Sequence, residues 1–221
     1  MKRLKGKTVL QHVIERVSQS ALVDEIIVAT TVSKKDDIIE QEALHLNAKV
    51  FRGSEDDVLG RYYHAAKQSG ADIIVRITSD CPLIDPYVID DTIRVYLSGG
   101  CDIATNAGLE RTFPRGLDTE VFSFDVLKTA FLNAKEVYQR EHVTPYIYEK
   151  ASKMRYHKSD VDYSRFRWTL DTSDDYELIS RVYAELYDGE HDFYLEDIID
   201  LFDRVPGLYM INAHVEQKEA K

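Results

Sequence analysis

The apolar run at residues 72–77 constrains the fold of this chain more than any other segment. Its run of isoleucine and valine is typical of a buried strand, and it is the clearest such run in the chain. A helical pattern over 57–68, ended by Gly70, precedes it. Another helical pattern over 86–98, with Pro86 in its first turn, follows it. This alternation of strand and helix predicts an α/β domain with a mainly parallel sheet.

The same alternation extends along the rest of the chain. Further helices are predicted over 9–17, 36–46, 124–134, 173–187 and 195–204, and further strands over 25–31, 48–51, 117–122 and 167–170. No repeat, low-complexity segment or long linker interrupts this order. We therefore predict a single domain over residues 1–221.

Composition narrows the class of protein. The chain has 28 Lys and Arg against 39 Asp and Glu, a formal net charge of −11, which argues against a nucleic-acid partner. No apolar run is long enough to span a bilayer, and residues 1–6 lack the apolar core of a signal peptide. We expect a cytoplasmic protein without a membrane partner, in which Cys81 and Cys101 are free thiols.

Two aspartates follow predicted strands, at the edge of the sheet where open α/β sheets bind ligands. Asp80 comes after the run at 72–77, and Asp171 comes after the later strand. Two carboxylates that converge from separate strand ends can hold Mg²⁺ against a nucleotide triphosphate, so we predict both as catalytic metal ligands. The alternatives are structural. Asp80 would accept from turn amides, and Asp171 would adjoin a capping box formed by Thr172 and Asp175.

A third cluster lies at residues 51–62. Arg52 and the open backbone at Ser54 suit the oxygens of a nucleotide or a sugar. The structural alternative is that Ser54 or Asp56 caps the following helix. Arg61, one turn into that helix, fits either a ligand contact or a solvated charge.

Two more clusters lie in the second half of the chain. Arg115, with Asp118 and Glu120 on one predicted strand face, suits a polyhydroxylated, carboxylated ligand. An edge-strand ion pair would produce the same pattern. His142 could carry a proton, although a structural role is the more common one for a lone histidine.

Seven motifs now point to one family. They are HVIERV at 12–17, IVATT at 27–31, VFRGSEDDV at 50–58, VRITSDCPLIDP at 75–86, PRGLD at 114–118, REHVTPY at 140–146 and RWTLDT at 167–172. With them the chain resembles the spore-coat polysaccharide biosynthesis cytidylyltransferase-like family, relatives of the CMP-Kdo and CMP-sialic acid synthetases. The likeness covers nearly the whole chain, in order.

The resemblance implies a Rossmann-like three-layer sandwich, the nucleotide-diphospho-sugar transferase fold. It implies a Mg²⁺-dependent reaction of CTP with a sugar acid, giving a CMP-sugar for surface or spore-coat polysaccharide, and a homodimer. Asp80 and Asp171 match the metal-binding aspartates of the family. The expected nucleotide contacts are Thr30, Thr31, Arg52, Ser54 and Arg76. The expected acceptor contacts are Arg115, Asp118, Glu120, Arg140 and His142.

The chain also departs from the family pattern, at its start and at two positions within the motifs. The family's first strand, central in the sheet, and its Gly-Lys phosphate loop precede the segment that begins here at Lys5, so we expect both to be absent. Two rows of backbone donors and acceptors inside the sheet would then lack a partner strand. Ser79 replaces the glycine usual before Asp80, and Gly60 stands where aspartate is common before Arg61.

Two other functions stay open at this point. A non-catalytic binding or assembly subunit could keep the fold after losing the phosphate loop. A glycosyltransferase on the related fold would carry an Asp-x-Asp motif, and the chain offers only 160–162, in a predicted loop.

Overall fold

The computed structural model of the protein describes residues 2–216. The helices are α1 (Val9–Val17), α2 (Asp37–His45), α3 (Val58–Ser69), α4 (Pro86–Leu97), α5 (Phe124–Asn133), α6 (Val137–His142), α7 (Pro145–Lys150), α8 (Ser173–Leu186) and α9 (Leu195–Arg204). The strands are β1 (Arg3–Leu4), β2 (Lys7–Thr8), β3 (Ile27–Thr31), β4 (Lys49–Gly53), β5 (Ile73–Arg76), β6 (Ile103–Thr105), β7 (Glu120–Ser123) and β8 (Met154–Tyr156). Short 3-10 turns cover Lys34–Asp36 and Pro206–Ile211.

The predicted α/β architecture is confirmed, and local chemistry sets most helix ends. Thr172 and Asp175 form the predicted capping box at the start of α8. The prediction that Ser54 or Asp56 caps α3 is wrong. Asp57 is the cap, because its side chain accepts from the amide of Gly60.

The strands form two separate sheets beside the small β1–β2 hairpin. β3 and β4 are parallel, and the larger sheet has the order β5-β7-β6-β8. β7 runs antiparallel to both of its neighbours, whereas β6 and β8 are parallel. The sheet is therefore more mixed than the alternating pattern predicted.

Two predicted strands are shorter than expected. The strand predicted over 117–122 begins only at Glu120, because the Asn106 side chain bonds the Leu117 carbonyl and the Thr119 amide in place of a neighbouring strand. The segment 167–170 makes one isolated parallel bridge, between Arg115 and Arg167, and no strand. Asp118 and Glu120 therefore do not share a strand face.

Helices cover the sheets on both faces. One layer is formed by α1 with α4 and α2, where Val13 packs with Ile93 and Ile14 packs with Ala43. The opposite layer is formed by α3, α5, α6 and α7 around Phe122 of β7. A third cluster joins α8 and α9 to the hairpin. Among the described residues, no helix combines the length and apolar character that a bilayer crossing requires.

A break separates the two sheets. Among residues 2–216, β3 pairs only with β4, and β5 pairs only with β7. A cavity of about 1140 Å³ is lined by both unpaired edges together with residues of α1, α3 and α4. We call this cavity the groove.

Candidate active site

The turns that carry Asp80 and Asp171 are neighbours. The amide of Leu170 donates to the carbonyl of Asp80 at 2.9 Å, which holds the two turns side by side. The Asp80 carboxylate contacts the thiol of Cys81 at 3.5 Å, and no basic side chain in residues 2–216 pairs with it. None of the described amides donates to this carboxylate either, so the turn-capping alternative does not describe Asp80.

Asp171 has a different environment. Its side chain is 48% exposed, and one carboxylate oxygen accepts from Arg167. The same oxygen accepts from the Thr169 hydroxyl at 3.2 Å. Asp171 is thus oriented by its own segment while it stays open to solvent.

The segment that carries Asp171 is fixed by a buried ion pair. Asp175 is 0% exposed, and Arg167 Nε donates to it at 3.0 Å. Burial alone would raise the pKa of Asp175, but Arg167 and Asn212 outweigh it, so the pKa lies below its ordinary value. Asp175 also accepts from the amides of Asp171 and Thr172, at 3.1 and 2.9 Å.

This network was missed in the sequence, although a signal was present. Arg167, Asp171 and Asp175 are spaced by four residues each, a spacing at which one arginine can reach both carboxylates. The capping-box pattern accounts for Asp175 only as a cap. In the structure its carboxylate also pairs with Arg167 and accepts from Asn212.

Three of the predicted residues line one end of the groove. Thr30 lies near the end of β3, Arg76 is the last residue of β5, and Asp80 lies in the turn after β5. Ser79 and Leu170 also line this end. Strand ends from both sheets therefore meet at the place where open α/β sheets bind ligands.

Thr31 is the next residue of β3, but its hydroxyl is occupied by a hydrogen bond within the protein. The hydroxyls of Thr30 and Thr31 donate to Asp36 at 2.9 and 2.6 Å. The bond from Thr31 is the largest cause that lowers the pKa of Asp36. These bonds stop β3 and direct the chain into the turn before α2.

Arg52 and Ser54, both predicted as nucleotide contacts, have structural roles here. Arg52 donates to the carbonyls of Thr31 and Ser33, at 2.8 and 2.7 Å, and its Nη1 pairs with Asp37 and Glu40. All three guanidinium nitrogens of Arg52 have protein partners, so this side chain links the end of β3 to α2. The carbonyl of Ser54 accepts from Arg61 at 2.8 Å, and Ser54 is exposed.

Glu120 is a positioning residue for Arg76. The two are register partners on β7 and β5, and Arg76 Nη1 lies 2.5 Å from the buried Glu120 carboxylate. Tyr148, which the sequence did not single out, donates to the other oxygen at 2.6 Å. Burial and the Glu120 charge together raise the pKa of Tyr148. Glu120 thus has both oxygens occupied by protein groups.

The remaining predicted acceptor contacts divide into paired and unpaired groups. Asp118 pairs with Arg111, and Arg140 pairs with Asp57 while donating to the Phe131 carbonyl at 2.8 Å. His142 is the half-buried last residue of α6.

Arg115 is the unpaired member. Its guanidinium has no hydrogen bond or ion pair with any group in residues 2–216. It lines a second cavity of about 100 Å³ together with Arg165 and Arg167. Burial lowers the pKa of Arg115, and the charge of Arg111 lowers it further. A half-buried, unpaired arginine among other arginines favours an anionic ligand.

Comparison with known proteins identifies the family. The chain is 40% identical to an uncharacterized protein of Methanocaldococcus jannaschii over 231 aligned residues, 98% of this chain and 92% of that protein. It is 30% identical to the spore coat polysaccharide biosynthesis protein SpsF of Bacillus subtilis, over 93% of this chain and 88% of that one. A solved cytidylyltransferase from Leptospira borgpetersenii superposes with a TM-score of 0.87 and 32% identity, covering 98% and 90% of the two chains. The model of the family described as "Cytidylyltransferase" matches residues 1–212, and the chain belongs to that family.

Proposed function

We propose that the protein transfers CMP from CTP to a hydroxyl of a sugar acid, with Mg²⁺ held by Asp80 and Asp171. The observation that carries the proposal is the backbone bond that holds the turns of Asp80 and Asp171 side by side, with Asp80 lining the groove and free of any basic partner among the described residues. The hydroxyl oxygen would attack the α-phosphorus, the bond to the bridging oxygen would break, and pyrophosphate would leave. The hydroxyl proton would pass to solvent.

The donor set fits the metal. Mg²⁺ is usually bound by one or two carboxylates plus water and phosphate oxygens, rather than by a complete protein cage. Asp80 and the exposed Asp171 provide that number of ligands. When bound, the ion would polarise the α-phosphate and stabilise the charge of the leaving pyrophosphate.

The protein's own residues would do the rest. Arg76, held by Glu120, lies at the same end of the groove and offers positive charge to a phosphate. Arg115 offers an unpaired guanidinium, which suits the carboxylate of a sugar acid because it can donate two parallel hydrogen bonds. The similarity to the spore coat polysaccharide biosynthesis protein of Bacillus subtilis supports a role in polysaccharide biosynthesis.

Asp171→Asn tests the metal role. We expect pyrophosphate release to fall at least a hundredfold while CTP affinity, measured by calorimetry, changes much less, because electrostatic stabilisation acts mainly in the transition state. Asp174→Asn, three residues further along the chain and 42% exposed, is the matched control. Unchanged turnover in Asp171→Asn would contradict the proposal.

A nucleotide-binding subunit without catalysis is the second candidate, and the break between the sheets favours it. Calorimetric titration with CTP and Mg²⁺, followed by pyrophosphate release with a panel of sugar acids, separates the two. Micromolar binding abolished by Asp80→Ala, but with no product from any acid, would indicate the binding subunit. Mass spectrometry of the products would identify the acid that is used.

A further inference from the structure

The second cavity lies where two backbone segments meet. The amide of Arg115 donates to the carbonyl of Phe166 at 3.0 Å, and the carbonyl of Arg115 accepts from the amide of Trp168 at 2.7 Å. Arg115 and Arg167 are therefore partners in a parallel bridge. Side chains of paired residues leave the backbone on the same face, and both arginines line the cavity.

The charge of Arg167 is balanced within the protein. Its guanidinium pairs with Asp175, which is 0% exposed, and with Asp171. Asn212, which also lines the cavity, donates its side-chain amide to the Arg167 carbonyl and to Asp175, both at 2.8 Å. Arg167 and Asn212 therefore form a fixed wall of the cavity, and Arg167 adds no unbalanced positive charge to it.

Two other guanidinium groups at the cavity have no counter-ion. Arg115 is half-buried and unpaired, as described above. Arg165 makes no ion pair or hydrogen bond within residues 2–216, and its guanidinium lies 4.7 Å from the centre of the Phe166 ring. Stacking on a ring leaves the N–H donors at the edge of a guanidinium open. The Ser164 hydroxyl, which also lines the cavity, has no partner in the described part of the chain either.

The nearby carboxylates do not neutralise these two arginines. Asp118, three residues after Arg115, forms its ion pair with Arg111 instead. Asp162 accepts from the amide of Ser164 at 2.9 Å and forms no ion pair with any residue that the structure describes. The cavity is thus bordered by two unpaired arginines and a free hydroxyl, a set of donors that suits an oxyanion.

We propose that this second cavity is a binding site for one phosphate group, held by Arg115, Arg165 and Ser164. A phosphate group has a charge of about −1.5 to −2 at pH 7 and three strong acceptor oxygens, which matches two unpaired arginines and a hydroxyl. A carboxylate has one negative charge, which a single arginine would balance. The cavity of about 100 Å³ equals the liquid volume of about three water molecules, so it admits a small anion and excludes a nucleotide.

The phosphate site adjoins the candidate reaction centre through one residue. Arg167 lines the cavity and also pairs with Asp171. Arg115 is the residue proposed above to bind the carboxylate of the acceptor, so a bound phosphate and the acceptor would compete for it. This competition rests on the proposed function, whereas phosphate binding by itself does not.

Titration with inorganic phosphate at constant ionic strength tests the site. NMR of ¹⁵N-labelled protein would follow the Nε–H group of Arg115 and the amides of Ser164 and Arg165. We expect shifts that saturate at millimolar phosphate. Acetate, which has a single charge, should bind about tenfold more weakly. Constant ionic strength excludes a general effect of salt on surface charges.

Matched variants locate the binding. Arg165→Gln removes one of the two charges at an exposed position, so the variant should fold, and it should weaken phosphate binding about tenfold. Arg115→Gln should weaken phosphate binding at least as much. Arg94→Gln is the control, because Arg94 is 58% exposed on α4 and lies outside the cavity, and it should bind phosphate as the unchanged protein does.

Three results would overturn the proposal. They are the absence of any saturable shift with phosphate, equally tight binding of acetate, and phosphate binding by Arg165→Gln as tight as that of Arg94→Gln. The titrations contain neither CTP nor Mg²⁺. A failure of the phosphate site would therefore leave the proposal for Asp80 and Asp171 untouched, and a failure to release pyrophosphate would leave the phosphate site untouched.

Discussion

Replacing Asp175 with asparagine should destabilise the protein strongly, although it changes the side chain by one atom. The carboxylate is 0% exposed and accepts from five donors, namely Arg167 Nε and Nη2, Asn212 Nδ2 and the amides of Asp171 and Thr172. Asparagine keeps one acceptor oxygen and turns an amide group toward donors. Arg167 would also lose its buried counter-ion.

The magnitude follows from the burial of the pair. Removing one partner of a buried ion pair costs roughly 3–5 kcal/mol, and the 48% exposed Asp171 compensates the charge of Arg167 only in part. For a chain of this length that corresponds to a fall in melting temperature of roughly 6–20 °C. Asp174→Asn changes an exposed neighbour and should cost less than about 0.5 kcal/mol.

Urea unfolding of the two variants, followed by circular dichroism, measures the difference. A double-mutant cycle with Arg167→Gln should give a coupling of about 1–3 kcal/mol, since the two side chains contact directly. A loss below about 1 kcal/mol for Asp175→Asn, or one equal to that of Asp174→Asn, would refute the reasoning. In that case a different contact must position the segment that carries Asp171.

Two further predictions concern backbone and pH. Gly116 has φ +100°, and an added Cβ would lie 2.6 Å from the backbone of Trp168. Gly116→Ala should therefore lower the free energy of unfolding, measured in urea, by at least about 2 kcal/mol. Gly207→Ala is the control and should cost little, because the space around Gly207 is open. Burial lowers the pKa of His191 to about 3, so the unfolded chain binds a proton that the folded protein does not. Stability is therefore complete above about pH 6.5 and falls by up to roughly 1.4 kcal/mol per unit as pH drops from 6.5 toward 3. His191→Gln should reduce the difference in unfolding free energy between pH 7.5 and 5.5. An unchanged pH dependence in this variant would contradict this account.

The sequence predicted the longer helices well, because capping chemistry and apolar periodicity are local, but it did not predict α6 or α7. The predicted helix at 195–204 agrees with α9 at both ends, and the box at Thr172 holds α8 as expected. Strands were predicted less well. β6 and β8 have three residues each, too few for a period to be recognised, and their pairing depends on residues distant in the chain.

The sequence predicted the position of the carboxylates in the candidate site better than the role of its arginines. Asp80 could be placed from sequence because a turn after a buried strand has a known position in an α/β sheet. Whether an arginine is free depends on what surrounds it in three dimensions. Arg52 and Arg140 are engaged by groups of α2 and α3, whereas Arg115 is left unpaired, and no local pattern distinguishes them.

The break between the sheets affects the two halves of the site differently. Asp80 and Asp171 belong to one unit, because the Leu170 amide bonds the Asp80 carbonyl and the Asp175 network fixes the segment that follows. Thr30 belongs to the other unit, which reaches the first through the packing of α1 and α3 against both. The pair of metal-binding candidates therefore needs nothing in the groove to bring its members together. The placement of Thr30 relative to Asp80 depends instead on the width of the groove, which both residues line.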